Sequence, residues 1–281
     1  MDIGIIGQGF VGSAIAAGLK SYYNLNTFDI QSELSSCGSL IDVVLKSELI
    51  FICLPTPMNK DGSCNIDLVK STVFKVDQIC NSNNLKDRVA IIKSTIPPGT
   101  TKMIEEKCSS IDVIFSPEFL TEANSFDDFK NQTRIILGGN KVSTTRVKTM
   151  FRKAFPTIPI IKTDSSYAEM VKYFTNCFLS MKVSFANEIF QVCNACGIDY
   201  DKVVEYALYD KRIGQTHLSV PGPDGDLGFG GHCFPKDLSA LIAVAHDFGI
   251  TPAILTAVRE KNDEVRVNRD WENMKGRAVT H

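Results

Sequence analysis

A glycine-rich turn between a short strand and a helix constrains the fold of this chain more than any other feature. Asp2 to Ile6 is an apolar run typical of a buried strand, and Ser13 to Leu19 reads as a helix. Between them lies a complete GxGxxG, formed by Gly7, Gln8, Gly9, Phe10, Val11 and Gly12. In this context the motif predicts a dinucleotide-binding βαβ unit, because glycines let the backbone turn, approach a pyrophosphate and pack helix on strand.

An acidic residue after the second predicted strand indicates which dinucleotide is bound. Leu25 to Phe28 reads as that strand, and Asp29 follows it, twenty residues after Gly9. A carboxylate at this position accepts hydrogen bonds from ribose hydroxyls and repels a 2′-phosphate. The next two residues, Ile30 and Gln31, offer no compensating arginine. The sequence therefore favours NAD over NADP.

Strand and helix patterns alternate through most of the first half of the chain. Helical stretches such as Asp67 to Cys80 and Thr100 to Cys108 separate apolar, β-branched runs of buried-strand type. Those runs are Glu48 to Leu54, Val89 to Lys93, Val113 to Ser116 and Ile135 to Leu137. The alternation predicts an α/β fold, a Rossmann-type doubly wound parallel sheet over residues 1–163.

Three loops that follow predicted strands contain unusual polar and proline residues. They read LPTP around Thr56, KSTIPPG around Thr95, and SPEFLTE from Ser116 to Glu122. Each loop alone is typical of a proline-shaped turn. Because ligands bind beyond the carboxyl ends of parallel strands, we expect the three loops to converge on one site.

From Asp164 the pattern changes to long helices, which predicts an all-helical domain over residues 164–281. Ser165 or Ser166 is expected to cap a helix that extends to Gly197, and its broad apolar stripe fits both a core and a dimer interface. A further helix is expected from about Pro252 to Trp271.

Two polar residues of the first long helix are candidate site residues. Lys172 and Asn176 lie four residues apart, so they share one helix face and can reach the same substrate oxygen. As an isolated pair they are more typical of a solvated surface, and that alternative stays open here.

The segment GFGGHCFPKD, from Gly228 to Asp237, places one cysteine at the start of a predicted helix. Pro235 suits the first helical turn, so Cys233 would lie beside the helix N-terminus. Unpaired N–H groups and the macrodipole there favour thiolate over thiol, and Lys236 adds positive charge. We interpret Cys233 as a candidate nucleophile; the alternative is a buried structural cysteine after a glycine turn.

Composition argues against several other classes of protein. A formal net charge of −2 over 281 residues gives no basic footprint for nucleic acid, and no apolar run reaches membrane-spanning length. Met1 leads directly into the first strand, so no signal peptide is expected. Nine scattered cysteines, including the CxxC of Cys193 and Cys196, are interpreted as reduced thiols in a cytoplasmic setting. Four unclustered histidines predict no metal site.

Together these motifs resemble the UDP-glucose/GDP-mannose dehydrogenase family of nucleotide-sugar dehydrogenases. The resemblance covers about residues 1–265 and rests on GIIGQGFVG, KSTIPPGT, SPEFLTEA, AEMVKYFTNCFLSMKVSFANE, KRIG and GFGGHCFPKD. It implies an NAD-dependent oxidation of a primary alcohol to a carboxylate by two hydride transfers, without release of the aldehyde. The PKD after the cysteine favours UDP-glucose as the substrate and UDP-glucuronate as the product.

The resemblance also implies roles for individual residues. Cys233 would form a thiohemiacetal and then a thioester. The residues implied in proton transfer and alkoxide stabilisation are Lys172, Asn176, Thr95 through a water, Glu118 and Asp237. Those implied to contact the substrate are Glu118, Phe119, Leu120, Lys172, Asn176, Phe229 and Gly230, with Arg212 reaching the substrate of a neighbouring subunit. Those near the nicotinamide half of NAD are Thr56, Thr95, Glu122 and Lys236.

The resemblance carries expectations about partners. A homodimer is expected. The family usually continues into a further domain that holds the nucleotide, whereas this sequence stops at His281. We therefore expect a short form with weak nucleotide recognition, unless a separate nucleotide-binding chain supplies it. Met58 stands where the family has a threonine, so the cofactor site is expected to differ slightly there.

Two alternative functions stay open. A β-hydroxyacid dehydrogenase has a similar pair of domains and also uses a helix-borne lysine with an asparagine, but it transfers one hydride and needs no cysteine motif. A nucleotide-sugar binding or partner subunit would keep the fold without catalysis. The yield of NADH per substrate separates the first alternative, and an assay of the isolated chain separates the second.

Overall fold

Residues 1–280 are described by a computed structural model, and they divide into two units. The first comprises Met1–Thr56 and Ile66–Lys172, and the second comprises Pro57–Asn65 and residues 173–280. The last strand ends at Thr163 and the longest helix begins at Ser165, whereas the two units divide within that helix, after Lys172, so the predicted boundary between residues 163 and 164 stays a prediction. The short segment Pro57–Asn65 belongs to the second unit, where Met58 N–H donates to Ala278 O at 2.7 Å.

The first unit contains a seven-stranded sheet. Its strands are β1 (Asp2–Ile6), β2 (Asn24–Phe28), β3 (Leu49–Ile52), β4 (Arg88–Ile92), β5 (Ile111–Phe115), β6 (Ile135–Gly138) and β7 (Ile160–Thr163). Their order is β2-β1-β3-β4-β5-β6-β7. Strands β1 to β5 pair in parallel and so do β6 and β7, but β6 pairs antiparallel with β5. The predicted sheet is confirmed, with two strands at one edge reversed.

Helices cover both faces of this sheet. They are α1 (Phe10–Leu19), α2 (Leu40–Lys46), α3 (Asp67–Ser82), α4 (Thr100–Glu105), α5 (Ser125–Lys130) and α6 (Lys141–Ala154). One apolar core layer joins α2, α3 and α4 to one face, and a second joins α1 and α6 to the other. In α3, helical spacing puts Val69, Val73, Val76 and Cys80 on the buried face. Burial on both faces fixes the strand ends, and hence the loops that follow them.

The long helix α7 (Ser165–Cys196) begins with a different cap from the one expected. Ser166 N–H donates to Asp164 Oδ1 at 2.8 Å, so the prediction of a cap by Ser165 or Ser166 is wrong. The Asp164 carboxylate reaches the first turn, and its negative charge interacts favourably with the helix dipole there. Gly197, with φ of +69°, follows the last residue as predicted.

The later helices are α8 (Tyr200–Ala207), α9 (Phe234–Asp247) and α10 (Ala253–Val265), and α10 is shorter than predicted. Arg266 adopts an extended backbone, and a separate 3₁₀ turn covers Asp270–Asn273. The Arg266 side chain is 1% exposed and contacts the Asp224 carboxylate at 2.8 Å. A buried guanidinium requires such partners, so this pairing overrides helix propensity at residues 266–271.

Within residues 1–280, no helix combines the length and the apolar character that crossing a membrane requires.

Candidate functional site

The glycine-rich turn after β1 fits a bound dinucleotide phosphate. A Cβ on Gly7, whose φ is +90°, would lie 2.3 Å from Cys53 O, and one on Gly12 would lie 1.9 Å from Gly7 O. The turn itself therefore requires both glycines. A Cβ on Gly9 would meet no atom within 4 Å, so space is open beside the first N–H groups of α1. A phosphate suits that space, because helix N-termini present unpaired donors and partial positive charge.

Asp29 follows β2 and contacts the same turn. Its Oδ2 accepts a hydrogen bond from Gln8 N–H at 2.6 Å, and its Oδ1 accepts one from Gln31 N–H at 2.9 Å. These contacts fix the orientation of the carboxylate, and each oxygen has a further lone pair for another donor. The arrangement fits the ribose-binding role that the sequence predicts for Asp29.

The three loops expected to converge are in contact in the first unit. Thr56 Oγ1 donates to Thr95 O at 2.8 Å, which joins the loops after β3 and β4. Lys93 Nζ donates to Pro117 O at 3.0 Å, which joins the loops after β4 and β5. Glu122, at the far end of the third loop, is exposed. The carboxyl ends of these strands therefore form one continuous rim.

Lys172 and Glu118 form a buried ion pair in the first unit. Lys172 Nζ lies 2.9 Å from Glu118 Oε1, and their side chains are only 3% and 7% exposed. The same ammonium donates to Glu118 O at 2.8 Å, and Leu120 N–H donates to Glu118 Oε2 at 2.6 Å. Burial raises the pKa of Glu118, but Lys172 and these hydrogen bonds outweigh it and hold that pKa below its ordinary value. The ammonium is thus fixed in a dry environment, where a nearby oxyanion would be strongly stabilised.

Lys93 is a second buried lysine beside this pair, and sequence reasoning missed it. Burial lowers its pKa to about 8, although the Cys53 thiol and the Glu118 carboxylate act in the opposite direction. Its contact with Pro117 O holds the loop that carries Glu118. The only sequence signal was a lysine at the end of an apolar strand, where a charged residue requires buried partners.

Phe119 and Leu120 line a cavity of about 270 Å³ in the first unit. The Arg134 guanidinium lies 4.0 Å from the centre of the Phe119 ring, and Lys172 Nζ lies 5.6 Å from it. The cavity lining also includes Val11, Lys93, Glu118 and Arg134. Residues predicted to bind cofactor and residues predicted to bind substrate therefore share one cavity wall. Arg134 was not predicted, because a single arginine before β6 matches no motif.

Glu169 fixes the start of α7 to the loop that contains Thr95. Its Oε2 accepts from Gly99 N–H at 2.6 Å and its Oε1 accepts from Thr101 N–H at 2.8 Å. The side chain is fully buried. A carboxylate from one helix thus caps the N-terminus of α4, and it lies one turn before Lys172 on α7.

In the second unit, Asp237 joins two further predicted site residues. Asn176 Nδ2 donates to Asp237 Oδ2 at 2.6 Å, and Lys236 Nζ donates to Asp237 Oδ1 at 2.5 Å. All three side chains are buried. Burial lowers the pKa of Lys236, but the adjacent carboxylate outweighs it and keeps that pKa above its ordinary value. Asp237 therefore fixes the amide plane of Asn176 and balances the charge of Lys236.

Cys233 occupies the N-cap position of α9, as the sequence predicts. Asp237 N–H donates to Cys233 O at 3.0 Å, the first hydrogen bond of the helix, and Pro235 lies in its first turn. Cys233 is half-buried, and its Sγ lies 3.3 Å from His232 Nε2. Sequence reasoning gave His232 no role, because the histidines are not clustered along the chain.

Side chains from distant positions hold the backbone of the glycine-rich segment before Cys233. Asn262 accepts from Phe229 N–H at 2.7 Å and donates to Phe229 O at 3.0 Å. Asn187 accepts from Gly228 N–H at 3.1 Å, and Asp270 accepts from Gly231 N–H at 3.0 Å. Sequence reasoning missed Asn262; the signal that could have found it is a polar residue on the same face of α10 as Val258 and Val265.

Phe229 and Gly230, the two other candidate site residues in this segment, pack closely against neighbouring side chains. The Phe229 ring lies in an apolar cluster with Cys177, Leu238, Ile242 and Val258. A Cβ on Gly230 would lie 2.4 Å from Arg266 Nη2 and 2.5 Å from Asp270 Oδ1, so a larger residue here would displace those two side chains. Phe229 and Gly230 thus shape the loop through packing, and any contact that they make with a substrate stays a prediction.

Arg212 lies apart from these contacts. Its side chain is 89% exposed and pairs with Asp210 at 2.5 Å. Large apolar side chains are exposed along the part of α7 that belongs to the second unit, including Phe174 at 67% and Phe185 at 62%. The rings of Phe174 and Phe178 stack with centroids 6.1 Å apart. Such a surface favours coverage by another protein chain.

Two family models match most of this chain. Residues 24–155 match the NAD binding domain of the UDP-glucose/GDP-mannose dehydrogenase family. Residues 166–264 match the central domain of the same family.

Individual relatives agree with these matches. UDP-glucose 6-dehydrogenase TuaD of Bacillus subtilis is 33% identical over 258 residues, which cover 89% of this chain and 53% of TuaD. UDP-glucose 6-dehydrogenase AglM of Haloferax volcanii is 30% identical over 308 residues, covering 94% of this chain and 70% of AglM. The structure of a UDP-glucose dehydrogenase from Pyrobaculum islandicum superposes with a TM-score of 0.85 at 27% identity, over 94% of this chain and 68% of that one. The chain thus spans about half the length of TuaD and about two thirds of the other two.

Proposed function

Because the chain belongs to the UDP-glucose/GDP-mannose dehydrogenase family, we propose that it oxidises the primary alcohol of UDP-glucose to a carboxylate in two NAD-dependent steps. The observation that carries this proposal is the position of Cys233 at the N-terminus of α9, in a loop that distant side chains hold in place. A single-step alcohol dehydrogenase has no need of such a thiol. The substrate is proposed from the PKD after Cys233 and from relatives named as UDP-glucose 6-dehydrogenases.

The first oxidation requires an alcohol proton to leave as the hydride departs. Bound NAD supplies the hydride acceptor. Lys172, held as an ammonium by Glu118, stabilises the oxyanion that develops on the alcohol. Asn176, whose amide plane is fixed by Asp237, supports the same oxygen, and a water beside Thr95 takes the proton.

The second oxidation requires a nucleophile, because an aldehyde has no hydroxyl proton whose loss can drive hydride departure. Cys233 adds to the carbonyl carbon, a C–S bond forms, and the carbonyl oxygen becomes the hydroxyl of a thiohemiacetal. Loss of the hydride, for which bound NAD would be the acceptor, and of that hydroxyl proton to the same water gives a thioester. Water then attacks the thioester carbon, the C–S bond breaks, and the carboxylate is released.

The yield of NADH per sugar tests this proposal. The purified chain is given limiting UDP-glucose, a UDP-N-acetyl sugar or GDP-mannose with excess NAD, and NADH is read by absorbance. The proposal expects two NADH per UDP-glucose consumed and a carboxylate product. One NADH per substrate would instead support a single-hydride dehydrogenase, and no NADH from any of these sugars would support a binding or partner subunit.

Replacing Asp29 by Ala is expected to relax the preference for NAD. The carboxylate would repel a 2′-phosphate, and an uncompensated like-charge contact is costly. We expect wild type to favour NAD over NADP in kcat/KM, and Asp29→Ala to reduce that ratio at least about tenfold, which corresponds to about 1.4 kcal/mol. Asp42→Ala, a change of the same type at an aspartate of α2, is the control. Equal efficiency of wild type with both cofactors would contradict the role of Asp29.

The exposed aromatic face of α7 is expected to form a dimer interface. A chain of 31.0 kDa would then sediment at about twice that mass. Replacing Phe174 and Phe178 by Glu should shift the protein to monomer, because charges would enter an apolar interface. If Arg212 completes the site of the neighbouring subunit, the monomer also loses activity. A wild-type monomer with full activity in sedimentation and rate measurements would contradict both statements.

A further inference from the structure

The imidazole of His232 contacts the proposed nucleophile Cys233. Its Nε2 lies 3.3 Å from Cys233 Sγ, within hydrogen-bonding distance for sulfur, and the residue is 8% exposed. Neighbouring imidazole is among the recurring causes of cysteine activation in proteins. We propose that His232 accepts the thiol proton of Cys233, so that the sulfur attacks the aldehyde as a thiolate. This role rests on the proposed function above.

The other charged groups near Cys233 differ from His232 in what they can do for the thiol. Lys236 lies on the same helix turn, but its ammonium is 2.5 Å from Asp237 Oδ1, so that carboxylate largely balances its charge. Other titratable or charged groups around this segment within the second unit include Cys64, His217, Arg266 and Asp270, of which Arg266 and Asp270 pair with each other. The N-terminus of α9 also favours a thiolate, but it cannot take up the proton. His232 can do both.

The backbone on each side keeps the two side chains together. After Cys233 the chain enters α9 directly, and the helix fixes the Cys233 carbonyl through Asp237 N–H. Before His232, the Gly231 N–H is held by both carboxylate oxygens of Asp270, at 3.0 and 3.1 Å. A dipeptide held at both ends loses little further entropy when its side chains form a reactive pair.

Cys233 and His232 exchange a proton in two steps of the cycle, the addition of sulfur and the hydrolysis of the thioester. The Cys233 S–H bond breaks, its proton moves to His232 Nε2, and the sulfur retains the electron pair that forms the C–S bond. The imidazolium then protonates the carbonyl oxygen as it becomes the hydroxyl of the thiohemiacetal. In the second oxidation, for which bound NAD would supply the hydride acceptor, the hydroxyl proton leaves to the water that also takes the alcohol proton in the first oxidation. Water then attacks the thioester, His232 takes a proton from that water, and it returns this proton to the departing thiolate.

Alkylation of Cys233 in the intact chain tests the pair without any substrate. Wild type and His232→Gln are treated with iodoacetamide between pH 5.5 and 9.5, and labelling is measured on the Cys233 peptide by mass spectrometry, because the chain has nine cysteines. Glutamine keeps a polar side chain but cannot accept a proton in this pH range. We expect His232→Gln to slow labelling at pH 7 at least about tenfold and to raise its midpoint toward the free-cysteine value of about 8.5.

The matched control is His246→Gln, an exposed histidine in the last turn of the same helix α9. We expect it to leave the rate and the midpoint unchanged. Labelling of His232→Gln within twofold of wild type at every pH would overturn the proposal. Should His232→Gln fail to fold, wild type alone decides: a single midpoint near 8.5 overturns the pair, and thiolate reactivity that persists below pH 7 supports it.

Turnover measurements separate this proposal from the function on which it rests. With UDP-glucose, His232→Gln should still yield two NADH per sugar but at a kcat reduced about 10²-fold, the lower range for loss of general acid–base catalysis. If wild type gave no NADH while labelling depended on His232, the proposed function would fail and the pair would stand. If wild type gave two NADH per sugar while His232→Gln was labelled at the wild-type rate, the proposed role of His232 would be wrong and the proposed function would stand.

Discussion

Cys233→Ala is expected to abolish formation of the acid. The second oxidation requires addition of sulfur to the aldehyde carbon, and alanine provides no nucleophile at that position. We expect the rate of carboxylate formation to fall by about 10³-fold or more, the scale seen when a covalent nucleophile is removed from an enzyme. A supplied aldehyde should still be reduced to the alcohol by NADH, because that single hydride transfer does not need the thiol.

The matched control is Cys196→Ala, which removes an exposed cysteine at the end of α7. It should keep the wild-type yield of NADH and the wild-type product. Product is identified by mass spectrometry, and NADH is counted per sugar consumed. If Cys233→Ala still produced two NADH per sugar, Cys233 would be a structural cysteine and the mechanism would need another nucleophile.

Lys172→Met is expected to lower kcat by about 10²- to 10³-fold with little change in KM. Methionine keeps a similar length but removes the charge that stabilises each oxyanion as it develops, and such interactions act mainly in the transition state. The split between kcat and KM is the informative measurement. A change confined to KM would assign Lys172 to ordinary substrate binding. The same outcome in an Asn176→Ala variant would assign Asn176 to that role.

Removal of Lys172 alone also leaves the Glu118 carboxylate buried without its main partner. Such a change typically costs about 3–5 kcal/mol of stability. A loss of activity in Lys172→Met therefore has to be separated from a loss of folded protein. The double variant Lys172→Met with Glu118→Gln removes both charges and should recover most of the free energy of unfolding, measured in urea. Its kcat should stay low, because the ammonium is still absent. Recovery of activity with recovery of stability would contradict the catalytic role.

The parts of the fold that could be predicted from the sequence are those set by local rules. The glycine turn, Asp29 and the position of Cys233 at the start of α9 follow from short-range geometry that any chain with these residues shares. The prediction for the cap of α7 was wrong because Asp164, Ser165 and Ser166 can all cap a helix. The negative charge of the Asp164 carboxylate favours it at the positive end of the helix dipole.

The parts that could not be predicted depend on contacts between residues far apart in the chain. The residues Glu118 and Lys172 are 54 positions apart, and no periodicity indicates that their side chains meet. Arg266 ends α10 early because carboxylates from another segment surround it, which a helical pattern cannot anticipate. Lys93 and Asn262 are polar residues inside apolar patterns, so pattern reading treats them as exceptions. Each proves to hold a loop that carries a site residue.

The glycine turn after β1 contains two kinds of glycine with different evolutionary freedom. Gly7 and Gly12 are required by the backbone itself, so a descendant that had ceased to bind any cofactor would still have to keep both in order to fold. A Cβ on Gly9 would meet no atom of the chain within 4 Å, so folding does not require a glycine at this position. Only a ligand that fills the open space gives a reason to keep Gly9. We therefore expect the middle glycine of the motif, and not Gly7 or Gly12, to vary in relatives that no longer bind a dinucleotide.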